Sequence, residues 1–231
     1  MIKDKILQSF LKISSTSEIS VDILTKVADD CSIEEARVLM EFENGVVDIV
    51  SYYQEGKILQ LEKLVAQKSD FSKLKIREKI EFCVHNFFLL QRKDQSSIRA
   101  IKNYYFDLGN LINKDRGITP ISFAIKSSYE ISDRIWCILS DKSTDINYYT
   151  KRLMLSKLLS CTFFAFLKDD SEGLDITRSS VRNQIDQIMK IQKLKSDFSN
   201  LSELSREELS RLFLNQDNNK MKPVADIIKS L

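Results

Sequence analysis

Glycine occupies only five of 231 positions and proline only two. Average usage is about 7% and 5%. Sandwiches and barrels need these residues at every tight turn, where special backbone angles are required. Their scarcity therefore argues against a turn-rich β architecture. It also excludes phosphate loops built on glycine: neither G-x-G-x-x-G nor G-x-x-x-x-G-K-[ST] occurs. Hydrophobic residues make up 43% and charged residues 29%, enough apolar side chain for a core of its own.

Helical periodicity runs along the whole chain. The spacing predicts helices over 2–13, 20–29, 33–41, 45–68, 73–92, 95–113, 121–139, 147–168, 174–194 and 201–214, with a short one at 223–231. Gly117 and Pro120 punctuate one break, and proline suits the start of the helix that follows. Asp169 to Gly173 forms a second break, and 215–222 a third. The fold class expected is all-α. Three regions follow: 1–43 with short helices, a helical body over 44–200, and an amphipathic tail over 201–231.

The counts also remove most catalytic designs. Cys31, Cys83, Cys137 and Cys161 are 52, 54 and 24 residues apart, so no C-x-x-C pair exists to bind zinc or cycle as a dithiol. They read as small buried hydrophobes in a reduced, intracellular protein. His85 is the single histidine, read as a packed or surface residue, not a base. No metal site, no catalytic residue and no enzyme are expected. The first residues are mixed-charge, without the apolar core of a signal peptide. The longest apolar stretch, 153–167, is too short to span a bilayer.

In the first region, Val21, Leu24, Val27 and Ala28 share one face of a helix. The turn Asp29-Asp30-Cys31-Ser32 follows, with Ser32 placed to cap the next helix and Glu35 as its capping-box partner. This is the outline of a helix-turn-helix. Residues 1–60 contain six basic and eleven acidic side chains, a net −5, which leaves +7 for the remainder. Duplex binding draws most of its affinity from cations neutralising phosphates. A recognition helix carrying Glu34, Glu35 and Glu41, with Arg37 as its one base, meets repulsion instead. No nucleic-acid partner is expected.

The later helices are rich in aromatics: Phe82, Phe87, Phe88, Tyr104, Tyr105, Phe106, Trp136, Phe163, Phe164 and Phe166. At helical spacing these form a core or line an apolar pocket between helices. Residues 153–167 are apolar nearly all the way round, which suggests burial on both sides and hence a homodimer with isologous helices.

The most distinctive stretch runs from Asp133-Arg134-Ile135-Trp136 to Asp141-Lys142-Ser143-Thr144-Asp145-Ile146-Asn147-Tyr148-Tyr149-Thr150-Lys151-Arg152. Asp141, Ser143, Thr144 and Asp145 precede a helix and are placed to cap it. Tyr148 and Arg152 share its face at i, i+4. Exposed tyrosine and arginine together are typical of protein-binding hot spots; the plainer reading is a capped helix start with an Asp/Arg pair. With the Trp136 that precedes it and the Asp-Asp-Ser-Glu turn at 169–172, this block resembles the Coq-nine family of ubiquinone-biosynthesis accessory proteins. It departs from the family in having Cys137 after Trp136, Ser140 before Asp141, and Tyr148 where a tryptophan is usual.

The resemblance implies a TetR-like fold whose helix-turn-helix is degenerate, in keeping with the acidic segment. It implies a lipid-binding accessory protein, with isoprenoid or phospholipid bound and no other cofactor, that presents quinone intermediates to the demethoxyubiquinone hydroxylase. On that reading Asp133, Tyr148, Tyr149 and Arg152 form a docking patch, and Trp136, with Phe163 and Phe166, lies toward the lipid pocket. The tail would be a membrane-contacting amphipathic helix or a folded-back cap. The protein would be cytoplasmic or peripheral on an inner membrane, on the matrix side in an organelle. The alternative is a TetR-family regulator whose pocket takes a small-molecule effector.

Overall fold

The computed structural model describes residues 1–106 and 120–197, with side chains at 120–124, 145–146 and 191–197 outside the description. Two compact units are present, Met1–Ile185 and the remainder from Asp186. Nine α-helices and two short 3-10 turns are found among the described residues. The helices are α1 (Ile2–Thr16), α2 (Ile23–Cys31), α3 (Glu35–Glu41), α4 (Val46–Gln67), α5 (Ile76–Leu89), α6 (Gln95–Phe106), α7 (Pro120–Ile138), α8 (Asp145–Phe166) and α9 (Asp175–Asp197). The all-α, TetR-like expectation thus holds over the described residues, and Pro120 opens α7 as predicted. The expected amphipathic tail at 201–231 lies outside the described residues, as does the end of the helix placed at 95–113.

In the first unit α1 packs on α2 and α6, α4 on α5 and α7, and α7 lies antiparallel against α8. Phe10, Ile6, Val27, Ile49, Leu61, Val84, Leu158 and Phe166 are almost fully buried. Phe88 and Phe166 stack at 5.2 Å between ring centroids, joining α5 to the end of α8.

The helix-turn-helix outline is present as α2, a turn and α3, but its details differ from expectation. Ser32 does not cap α3. It sits in the left-handed region at φ 53° and closes α2, its N–H reaching Ala28 O and Asp29 O. The following Ile33 N–H also returns to Ala28 O, as in a Schellman ending. Glu34 stands at the N-cap of α3, and the Glu35 carboxylate accepts from Thr25 Oγ1 at 2.6 Å. Val21 lies outside α2 and is fully exposed; the buried face is Ile23, Val27, Ala28 and Cys31. Gly45 enters α4 at φ +59°, where an added Cβ would stand 3.0 Å from Leu24 Cδ1.

Cys31 and Cys83 are buried, and burial pushes the Cys83 thiol up to about 12. Cys137 is exposed, contrary to expectation: it follows Trp136 on α7 and so points away from the seam that buries the indole. Among the described residues, α8 is covered on one side. Leu155, Leu158, Leu159 and Phe166 are covered, whereas Leu153 and Phe164 are exposed.

Replacing Phe166 by alanine removes the ring that meets Phe88 at the centre of the bundle. The expected loss is about 3–5 kcal/mol, read as a shifted urea midpoint with an unchanged slope.

Candidate functional site

The distinctive motif falls on α7, the turn after it, and the first three turns of α8. Antiparallel packing brings Asp133, Trp136, Asp141, Ser143, Tyr148, Lys151 and Arg152 together, although Asp133 and Arg152 are nineteen residues apart. Arg152 is the centre. It is 3% exposed, and its Nε donates to Asp133 Oδ1 at 2.5 Å. Its Nη1 lies 3.6 Å from Asp141 Oδ2 and donates to Tyr148 O. The guanidinium lies over the Tyr148 ring, 3.3 Å from its centroid, and Tyr148 Oη donates to Asp133 at 3.2 Å. Burial opposes the Arg152 charge, but Asp133 outweighs it and raises the guanidinium above its usual range.

A second cation completes the cluster. Lys151 Nζ donates to Asp141 Oδ1 at 2.7 Å and to Ser143 Oγ, and it sits 5.2 Å from the Trp136 ring centroid. Trp136 Nε1 donates to Lys151 O at 3.1 Å, and Ser132 Oγ donates to Arg152 O at 2.7 Å. Burial would raise the Asp141 carboxyl, but Lys151 and Ser143 hold it below the ordinary range.

Not all the expected roles survive in this geometry. Ser143 does not cap α8, because its hydroxyl donates to Asp141 Oδ1 instead. Thr144 is the N-cap residue, in extended conformation, without a side-chain capping bond. The Asp145 side chain lies outside the described residues. Asp133, Tyr148 and Arg152 are brought together, but with Arg152 buried they face one another. Tyr149 is different: it is 62% exposed, with its ring edge-on to Tyr148 at 5.2 Å.

Trp136 lies in the α7–α8 seam, Phe166 in the core against Phe88, and Phe163 is half-buried beside Phe164. Two open grooves, of about 650 and 530 Å³, are lined by other residues: Gln60, Leu89, Leu90, Arg92, Lys93, Gln95 and Ser96 in one, α1 and the end of α2 in the other. No group of residues suited to holding a metal ion occurs among the described residues.

Several contributors escaped the sequence reading. Asp169, fully buried, accepts from Ser171 and from both the backbone N–H and hydroxyl of Thr177, and so caps the start of α9. Burial opposes the Asp169 charge, but these bonds hold its carboxyl low. Gln95 Nε2 donates to Phe166 O and Asp169 O, Arg99 Nε to Leu167 O, and Arg92 to Asp170 O. His85 Nε2 lies 3.0 Å from Gly173 O and donates to it, which fits the packed reading of that residue. The Asp-Asp-Ser-Glu turn signalled Asp169; nothing in the sequence signalled Gln95 or Arg99.

The family model described as COQ9 matches residues 121–192, the span that holds this cluster. The chain is 23% identical over 188 residues to Ubiquinone biosynthesis protein COQ9-A, mitochondrial, of Xenopus laevis, covering 81% of this chain and 58% of that one. It is 21% identical over 177 residues to the COQ9 protein of Drosophila melanogaster, covering 77% and 52%. It is 30% identical over 74 residues to the coq9 protein of Schizosaccharomyces pombe, covering 32% and 30%. The chain thus spans little more than half the length of the first two relatives. The resemblance seen in the motif extends over most of the helical body.

Two outcomes separate structure from surface. Arg152→Ala takes the guanidinium from Asp133 and one of two cations from Asp141 and is expected to cost about 3 kcal/mol, whereas Tyr149→Ala stays within about 0.5 kcal/mol, both read by urea denaturation. Asp141 and Asp169 titrate lower in the folded state than their ordinary value of 3.8. Their contribution is therefore complete above that value and lost as pH falls through the folded-state values. Asp169→Asn should flatten the fall in Tm as the pH drops below about 4.

Proposed function

We propose that this chain, sharing the COQ9 family's motif, is a non-enzymatic accessory protein of ubiquinone biosynthesis. It binds an isoprenoid lipid or phospholipid and presents quinone intermediates to the demethoxyubiquinone hydroxylase. The observation that carries this reading is the exposed Tyr149 ring, held out beside the Arg152–Asp133–Tyr148 cluster within the family-matched segment. Two rigid tyrosines on a locked helix start offer contact area at little entropic cost, as interface anchors do. The buried arginine sets the angle at which they are offered. We place the protein peripherally on an inner membrane, on the matrix side where it is mitochondrial like its named relatives, and as a dimer through the open side of α8.

A regulator that reads DNA is the second reading, favoured by the α2–turn–α3 pair. Against it, Arg37, the base on α3, is held by Glu41 at 2.8 Å, leaving Glu34 and Glu35 facing any phosphate. Operator binding that weakens steeply with salt would support this second reading.

Native mass spectrometry of the purified chain tests the first reading. Bound isoprenoid or phospholipid is expected, and its absence together with normal quinone levels in a deletion strain would sink the proposal. Tyr149→Ala should weaken capture of the hydroxylase by at least about tenfold while leaving bound lipid and thermal stability unchanged.

A further inference from the structure

We propose that the open groove at the α5–α6 junction binds the phosphoryl group of a phosphate monoester that carries an apolar arm. The groove has a volume of about 650 Å³, within the range of small-molecule sites. Gln60 of α4, the end of α5, the 3-10 turn Arg92–Asp94 and the start of α6 meet there. It shares no residue with the cluster on α7 and α8.

Two cations, Arg92 and Lys93, line the groove, and no carboxylate does. Arg92 donates from Nη1 to Gln95 Oε1 at 2.7 Å and from Nη2 to Asp170 O at 2.9 Å. Both acceptors are uncharged, so the guanidinium is held in place without being neutralised. Most of its five N–H donors remain available. Gln95 is 5% exposed, and its amide donates to Phe166 O and Asp169 O, which fixes the oxygen that orients Arg92. The Lys93 ammonium, the Ser96 hydroxyl and the Gln60 amide are exposed and have no partner among the described residues.

The one acid between Glu81 and Asp107 is turned away. Asp94 pairs with Lys57 Nζ at 2.9 Å and accepts from Tyr53 Oη at 3.0 Å. Lys57 is 7% exposed and also donates to Leu90 O at 2.8 Å. This buried lysine therefore neutralises Asp94 and holds the turn from beneath. The Asp170 carboxylate, beyond the carbonyl that Arg92 holds, lies 3.4 Å from Arg99.

Charge and donors select the ligand. A phosphate monoester carries about −1.5 to −2 charges at pH 7 and three acceptor oxygens. That matches one guanidinium, one ammonium and the neutral donors Ser96 and Gln60. A carboxylate would leave one cation unanswered. Leu89 is 38% exposed and lines the same groove with Leu90, a wall for an apolar arm beside the charged end.

Titration of the isotope-labelled full chain with hexyl phosphate, followed by amide shifts, tests the site. One-to-one binding with shifts at Arg92 to Ser96 is expected. It should be at least about fivefold tighter than inorganic phosphate, because part of the hexyl chain is buried. Lys93→Glu and, separately, Gln60→Glu should each weaken it by at least about tenfold. Both positions are exposed and unpartnered, so thermal melts should stay unchanged. Leu89→Asn should bring hexyl phosphate down to the level of inorganic phosphate. Lys26→Gln on α2 should remain within about twofold of the parent.

Phosphatidylcholine vesicles with and without phosphatidic acid distinguish the source of the phosphoryl group. Co-sedimentation that needs phosphatidic acid and is abolished by Lys93→Glu supports a lipid headgroup; hexyl phosphate binding without it supports a soluble ester. An absence of shifts in the groove would overturn the site, as would an affinity that either glutamate variant leaves unchanged. So would inorganic phosphate, hexanol or hexanoate that binds as tightly as hexyl phosphate.

Discussion

A guanidinium buried to 3% exposure cannot be left without counter-charge, because removing it from water costs several kcal/mol. Arg152 meets that demand from two directions, Asp133 on α7 and Asp141 in the turn. Only one register of α7 against α8 satisfies both. The same register lets Ser132 reach Arg152 O and Trp136 reach Lys151 O. The seam is therefore specified by polar pairing as well as by packing. Consecutive helix residues point about 100° apart, at 3.6 residues per turn. Once Tyr148 lies under the guanidinium, Tyr149 must point elsewhere, and it points to solvent.

The far end of α8 is held by a different device. Its terminal carbonyls and those of the turn after it are taken up by Gln95, Arg99 and Arg92, and Gly173 O by His85. Cations suit a helix C-terminus, and amide and guanidinium donors satisfy groups that would otherwise be orphaned. Asp169 then starts α9. The segment with the strongest family likeness is thus clamped at both ends. The motif that reads as a docking signature is first a structural staple, and Tyr149 is what that staple leaves outside.

Much of the fold was legible because helical period and scarce glycine and proline are local properties. Where reading failed, a non-local competitor won. Ser32 had the right neighbours to cap α3, but the chain needed a left-handed residue to close α2. Ser143 had the right position to cap α8, yet the Asp141–Lys151 pair claimed its hydroxyl. Val21 matched a helical stripe but stands before the helix begins. Among the aromatics, Phe166 and Phe164 are two residues apart and equally apolar; one is fully buried and the other is 43% exposed. Only the helices packed beside them make that difference.

By itself the sequence determined the helical class, the acidic front set against a basic remainder, and a motif in which opposite charges had to meet. These follow from composition and short-range spacing. The tertiary structure decided which arginine is buried, which tyrosine is offered, and which phenylalanines remain outside. The deciding partners lie far off in sequence, as with Gln95 at Phe166 O and Arg99 at Leu167 O. Burial is a property of neighbours, and for these residues the neighbours come from other helices.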